Sequence, residues 1–506
     1  MIFNREALKS GFSYTSRQNW TLRELKMSSV KKDLITGAAF TAIAKYSGLV
    51  VQLVITAILA RLISPSDFGI VAIATVFIFF FNILSDIGIG PAIIQNKALN
   101  NADVNNIFSL TVYLGIISST IFFIASWGIA SIYAVPQLKS ICQLLCIPIL
   151  FYSLNIVPNA LLLKEKKFKF IAIRTLISQI VSGAIAVICA FCGWRIYALL
   201  VNPILSSIII FILSYKVKPQ TFVVKIKKDS ILKIFSFSIY QFLFNILNYF
   251  SRNLDKLLIG RFLGMTPLGY YDKSYRLMML PLQNIIFVIN PVFQPIFSEF
   301  QDNIPKLREY YLKILRLLSW LAFPISILIF FISKELILCF FGEQWKNAIP
   351  VFQILSLTIC MQILISTTGA IYQSVNATKE LFISGLWGAI YLIFGFSIPI
   401  ICYKTIEAVA IGYVLAQIAN FIQCFYLLLK KINYSFYDFL KNLVHPIIIS
   451  GILAILMWII FSNIEITNNI ISLITKSLLF SVSLLSYLIY IKVINLKSIR
   501  NYIYKR

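Results

Sequence analysis

The sequence predicts an all-α polytopic membrane protein of about fourteen transmembrane helices, with two six-helix lobes around a central cavity and two further helices at the C-terminus. Three observations lead there. Of the 506 residues, 59% are hydrophobic and only 13% are charged, against roughly 25% charged in an ordinary soluble domain. A soluble fold could not hide that much apolar surface behind so few charges. The apolar residues come in long runs, and the charges fall in short clusters between them. The two halves of the chain also carry matching segments at one fixed spacing.

A helix needs about 20 predominantly apolar residues to cross a bilayer. Runs of that scale lie at 37–60, 68–94, 107–133, 139–162, 170–192 and 194–215. The basic segment YKVKPQTFVVKIKKDS interrupts them at 215–230. Eight more follow, at 233–260, 267–297, 310–332, 348–373, 381–402, 405–429, 437–461 and 467–492. No connection is long enough for a soluble domain. The chain thus divides into an N-terminal segment 1–36, an N-lobe 37–215, a basic linker 216–232, a C-lobe 233–429, two last helices within 437–492 and a basic tail 493–506. Residues 1–26 are polar and mixed, and Met27 opens a short basic lead, so Met27 is expected to be the native start.

With the N-terminus placed in the cytoplasm, the inner connections gather most of the lysine and arginine. Lys31, Lys32, Lys164, Lys166, Lys167, Lys169, Lys225, Lys227, Lys228, Lys306, Arg308, Lys430, Lys431, Lys497 and Arg500 all fall on that side. The outer loops hold scattered cations such as Arg61, Lys139, Arg195, Lys334, Lys346 and Lys404. This bias favours an even helix count with both termini cytoplasmic. The net charge of +26 therefore reads as a topology signal and a contact with anionic lipid headgroups, not as a nucleic-acid surface.

Other function classes find little support. Cys189 and Cys192 form a CxxC, but no second pair and no nearby histidine complete a metal site. The remaining cysteines read as small buried hydrophobes, and the lone histidine, His445, makes no metal centre. No P-loop is present, so intrinsic ATP hydrolysis is not expected. No cofactor is expected either.

The internal repeat is specific. ILARLISPSDFG at 58–69 aligns with LIGRFLGMTPLG at 258–269, pairing Arg61 with Arg261 and Gly69 with Gly269; Pro91 pairs with Pro291. All three pairs share one offset. Two homologous lobes around a cavity is a transporter plan.

RNLDKLLIGRFLGMTPLGYYDKSYRLMMLPLQNI at 252–285 resembles the polysaccharide transporter family, whose members flip lipid-linked oligosaccharides and belong to the multidrug/oligosaccharidyl-lipid/polysaccharide exporter superfamily. So do ILARLISPSDFGIVAIATVFIFFFNILSDIGIGPAIIQNK at 58–97 and LLLKEKKFKFIAI at 161–173. The resemblance runs from about Met27 to the C-terminus. It implies a bacterial inner-membrane flippase for undecaprenyl-pyrophosphate-linked oligosaccharide, serving O-antigen, capsule or exopolysaccharide synthesis, and not an enzyme. It implies partners in that lipid-linked oligosaccharide and in the polymerase and chain-length machinery. The alternatives are a cation-coupled drug or metabolite antiporter of the same superfamily, which needs unpaired membrane carboxylates, and a polymerase or ligase, which needs a substantial outer loop.

An ionisable residue inside a membrane costs at least about 2.5 kcal/mol on insertion scales, so it usually meets a cavity or a partner. Lys45 and Asp86 are expected at one depth, roughly 12–13 Å from the cytoplasmic end of their helices, where they could pair. Arg174 starts the fifth run on the same side and either faces the cavity or snorkels to headgroups. Arg252, Asp255 and Lys256 share one helix face, and Asp272, Lys273 and Arg276 follow on the next helix. The expected substrate-binding cations are Lys45, Arg174, Arg252, Lys256 and Arg276. Asp86, Asp255 and Asp272 are the expected ion-pair or coupling residues. The competing reading of both groups is a purely structural salt-bridge lock. Tyr240, Tyr249, Phe250, Tyr270, Tyr271 and Tyr275 crowd the same helices, as sugar platforms or as an interfacial belt.

Overall fold

The computed structural model describes residues 45–227, 253–301, 303–462 and 468–490, with a few isolated positions between them. Met27, Arg252 and most of the expected run at 233–260 lie outside the described residues. Every regular element among the described residues is helical. Among the described residues, eleven helices are long and apolar enough to cross a membrane, and a twelfth span is added if Glu343–Ser356 and Ile359–Ser374, bent by 44° at their break, are read as one. The chain is a multi-pass membrane protein. Its apolar side chains confirm the solvent: Phe191 and Ile401 are 70% and 72% exposed, which only lipid tolerates across so many spans.

The elements are α1 (Lys45–Leu62), α2 (Pro65–Asp86), α3 (Ile89–Gln95), α4 (Asn101–Tyr133), α5 (Gln137–Leu144), α6 (Cys146–Lys164), α7 (Phe168–Phe191) and α8 (Ile196–Val217). A helix α9 over 253–262 follows. Then come α10 (Met265–Ser298), α11 (Ile304–Phe331), α12 (Ser333–Phe341), a 3₁₀ turn (Glu343–Ala348), α13 (Ile349–Ser356), α14 (Ile359–Ile365), α15 (Thr368–Ser374), α16 (Thr378–Cys402), α17 (Ile406–Lys431), α18 (Phe436–Ser462) and α19 (Asn469–Tyr490).

Three expected runs are broken, and the one at 139–162 divides at Leu145 into α5 and α6. The run at 68–94 stops at Asp86, because Ile87 and Gly88 both take left-handed φ values, 43° and 75°. The run at 348–373 divides into α13, α14 and α15. Apolar content marks depth in a membrane, but it is blind to such breaks.

By contact the chain forms two compact units. The first comprises Met1–Thr56, Phe81–Ala125 and Gln143–Phe244. Its core gathers Ile93, Ile107, Val157 and Ala160 from α3, α4 and α6. α4 opens with a reciprocal cap: Asp103 N–H donates to Asn100 Oδ1 at 2.8 Å, and Asn100 N–H donates to Asp103 Oδ2 at 3.2 Å. Beyond α8 the basic linker lies along α4. Backbone N–H groups of Thr221, Val223 and Lys227 donate to Asn105 Oδ1, Ser109 Oγ and Asn106 Oδ1 at 3.0, 2.7 and 3.1 Å. Side chains of the helix thus satisfy an extended backbone that has no ladder of its own. Lys218 bonds Glu165, Lys167 stands 3.0 Å from it, and the Lys218 hydrogen bond chiefly holds that carboxyl below its usual range.

The second unit comprises Ala57–Phe80, Ser126–Cys142 and Asn245–Arg506. One of its cores joins α10, α11, α14, α15, α17 and α18 through Phe297, Tyr311, Leu364, Tyr372, Phe425 and Phe439. α19 is pinned to α12 by Glu335, whose Oε1 accepts from Ser472 Oγ at 2.7 Å and pairs with Lys476 Nζ at 2.5 Å.

Within this unit the two repeats cross. A Cβ added to Gly69 would lie 1.8 Å from the Met265 carbonyl oxygen, and one added to Gly269 would lie 2.0 Å from the Pro65 carbonyl oxygen. The contact is reciprocal at the repeat offset: residue 69 meets 265, and 269 meets 65. Only glycine lets two backbones approach this closely. The end of α1 is closed by the 3₁₀ turn, where Trp345 Nε1 donates to the Ala60 carbonyl at 2.8 Å and the Gln344 amide reaches the same oxygen. Arg61 donates to the Cys339 carbonyl at 2.6 Å.

Candidate functional site

The charged cluster of the second unit is built on the facing turns of α9 and α10. Positions 255 and 256 leave α9 together, and 272, 273 and 276 leave α10 on neighbouring faces, since residues three and four apart share a helix side. Asp272 is the hub. Its Oδ1 stands 3.1 Å from Lys256 Nζ, and its Oδ2 accepts from Arg276 Nε at 2.7 Å. The Asp272 and Lys256 side chains are 5% and 14% exposed, and Arg276 is 50% exposed. Asp255 is buried and accepts from the Lys256 backbone N–H at 2.8 Å. Lys273 is buried as well, with its ammonium 3.9 Å from the centre of the Phe68 ring.

Aromatic rings line one side. Tyr271 stacks on Tyr275 at 6.1 Å, Tyr275 meets Tyr413 edge-on at 5.9 Å, and Tyr413 stacks on Phe396 at 5.7 Å. Lys256 Nζ lies 6.0 Å from the Tyr275 ring centre. Three described cations, Lys256, Lys273 and Arg276, face two carboxylates, Asp255 and Asp272, so the cluster carries one surplus positive charge. In a medium of low dielectric such a surplus is a strong attractor for an anion.

The repeat shows that packing does not demand these charges. At the twin positions, two hundred residues earlier, stand Ile55, Thr56, Ala72, Ile73 and Val76. The earlier segment carries neutral side chains at the shared positions, and the later one carries Asp255, Lys256, Asp272, Lys273 and Arg276.

The first unit holds the remaining expected residues. Arg174 is buried between α6, α7 and α8, where it donates to Ser214 Oγ and, at 3.1 Å, to Asn159 Oδ1. It therefore does not snorkel to headgroups: neutral partners on two neighbouring helices hold it inside. Asp86 is half-buried, and its Oδ1 accepts from the Gly90 N–H across the break between α2 and α3 at 3.2 Å. Lys45 is half-buried on α1, and no ion pair joins it to Asp86 among the described residues. The sequence placed the two at one depth, but the Asp86 carboxylate caps the turn made by Ile87 and Gly88 instead.

The structure thus brings Asp255, Lys256, Asp272 and Arg276 together, as their spacing implied. Lys273, which the sequence groups with Asp272 and Arg276 without a role, joins them, and the structure adds Phe68, Tyr413 and Phe396. Phe68 belongs to the resembling segment at 58–97, so the repeat could have pointed to it. Tyr413 and Phe396 carry no local signal, because α16 and α17 reach the cluster only through the fold.

Comparison with known proteins agrees with this architecture. Residues 58–350, more than half of the chain, match the family described as "Polysaccharide biosynthesis protein". The teichuronic acid biosynthesis protein TuaB of Bacillus subtilis (strain 168) is 24% identical over 85% of this chain and 89% of its own. The lipopolysaccharide biosynthesis protein WzxC of Escherichia coli (strain K12) is 26% identical over 81% of this chain and 83% of its own. Among solved structures, the lipid II flippase MurJ in an inward closed conformation superposes with a TM-score of 0.70 at 14% identity, covering 90% of this chain and 99% of that one, which establishes a shared fold. The chain is a multi-pass member of the polysaccharide biosynthesis protein family.

Proposed function

We propose that this protein is a flippase that carries an undecaprenyl-pyrophosphate-linked oligosaccharide across the bacterial inner membrane by alternating access. The observation that carries the reading is the surplus-positive cluster around Asp272, present in one repeat and neutral at the twin positions of the other. A pyrophosphate needs charge-assisted donors in a water-poor site, and Lys256 and Arg276 supply them. Arg276, half exposed with one nitrogen on Asp272, keeps its terminal donors for a ligand. The stacked Tyr271, Tyr275 and Tyr413 offer ring faces for the sugar or the lipid. The similarity to WzxC and TuaB, and to the fold of MurJ, supports the same reading. Both termini and the 216–232 linker lie in the cytoplasm on this reading, where the linker lysines meet anionic headgroups. Two lobes, 37–215 and 233–429, within fourteen spans enclose the path. The activity is transport rather than catalysis, and the exported glycan passes to polymerase and chain-length machinery.

The test is deletion of the gene followed by analysis of lipid-linked glycans. One undecaprenyl-linked oligosaccharide should accumulate on the cytoplasmic leaflet, with loss of the matching surface polymer. Unchanged lipid-linked pools alongside a normal surface polymer would refute the reading.

A further inference from the structure

Lys273 is the least explained residue of the cluster. It is buried, among the described residues no carboxylate oxygen stands within salt-bridge distance of its ammonium, and its contact is the face of Phe68 at 3.9 Å. Its twin is Ile73, fully buried against Gly260. Isoleucine therefore satisfies the packing of this position, and a lysine there adds only the cost of burying a charge.

Its surroundings suggest what offsets that cost. Phe68 adjoins Gly69, one of the two glycines of the repeat crossing, and Lys273 stands one turn beyond the other, Gly269. The Phe68 ring also meets Trp345 edge-on at 5.4 Å, and Trp345 holds the end of α1 through the Ala60 carbonyl. One cation–ring contact therefore joins the charged cluster to the crossing and to the turn that closes α1.

We propose that Lys273 is a positioning residue that couples arrival of the anionic headgroup to release of this crossing. The coupling rests on the reading of the cluster as an anion site: a pyrophosphate held by Lys256 and Arg276 competes for the Lys273 ammonium. A charge-assisted hydrogen bond to phosphate is stronger than a contact with a ring face. The flexible four-carbon stem lets the ammonium swing across, Phe68 loses its cation, and the packing of Phe68 on Trp345 loosens.

Hydrogen exchange on the full chain in lipid nanodiscs, with undecaprenyl pyrophosphate as the probe, tests this. In the wild type the probe should speed amide exchange in residues 58–70 and 343–349 by about thirtyfold, the scale of one desolvated cation–ring contact. Lys273→Met should bind the probe more weakly, through Lys256 and Arg276 alone, and at saturating probe the exchange there should no longer respond. Phe68→Leu, which installs the residue found at its twin Leu268, should exchange fast before any probe is added. If Lys273→Met binds and responds like the wild type, the coupling is overturned. Slow resting exchange in Phe68→Leu overturns it too, even should Lys273→Met fail to fold. A wild type that binds without any change in exchange removes the coupling and leaves the anion site standing. A wild type that does not bind the probe removes the site itself, and the coupling with it.

Discussion

The residues around Asp272 are unequal, and their burial says how. Asp272 and Lys256 are nearly closed off, whereas half of Arg276 is exposed. Removing one partner from a buried pair strands the other and costs about 3–5 kcal/mol. Losing an exposed pair costs at most about 1 kcal/mol. Asp272→Asn should therefore lower the amount of folded protein in the membrane, by quantitative immunoblot. Arg276→Ala should leave that amount near normal and still cut glycan export about tenfold, the worth of one charge-assisted contact. Arg276→Lys should restore part of the export, because the charge survives while the guanidinium fork does not. If Arg276→Ala lowers protein amount and export in equal proportion, Arg276 is only a brace. Spacing pointed to the described members of the cluster, since 255 and 256, and then 272, 273 and 276, follow at helical intervals; Arg252 lies outside the described residues. Spacing could not reveal that Arg174 is held by Asn159 and Ser214, because those partners come from other helices. Nor could it show that Asp86 caps a turn: Ile87 is an unexpected residue at positive φ, and nothing in an apolar run announces it.

At the scale of elements, hydropathy located the spans because the bilayer imposes one length on each. It did not resolve α13, α14 and α15, which share one apolar composition and differ only in backbone direction. The connections carry the orientation. The linker after α8 is held on α4 by Asn105, Asn106 and Ser109, and the proposed function puts its lysines on the cytoplasmic side. A cysteine replacing Lys225 in intact cells should resist a membrane-impermeant thiol reagent, while one replacing Lys404 should react. Native cysteines are removed first, since Cys192 and Cys402 are exposed. Labelling at position 225 from outside would reverse the orientation and upset the helix count. The repeat was legible in Arg61 and Arg261 and in Gly69 and Gly269, but its meaning was not. Only the structure shows that the two glycines meet each other, each under the carbonyl four residues before its twin.

At the scale of the whole molecule, the distribution of charge is asymmetric. Two similar segments cross at matching glycines, and only one carries charges at the shared positions, beside a ladder of aromatic rings. The symmetric part is a matter of fold, while the asymmetric part is where an anionic headgroup would be recognised. The direct measurement is headgroup translocation in proteoliposomes. Undecaprenyl-pyrophosphate-linked oligosaccharide with a fluorescent sugar label is placed in both leaflets, and an impermeant quencher reports how fast the inner pool reaches the outside. Wild-type protein should make the inner pool available within the assay, and protein-free liposomes should not. The double variant Lys256→Ala/Arg276→Ala, matched for amount inserted, should slow that step about a hundredfold, two charge-assisted contacts being lost together. Translocation by the double variant at the wild-type rate would contradict the account.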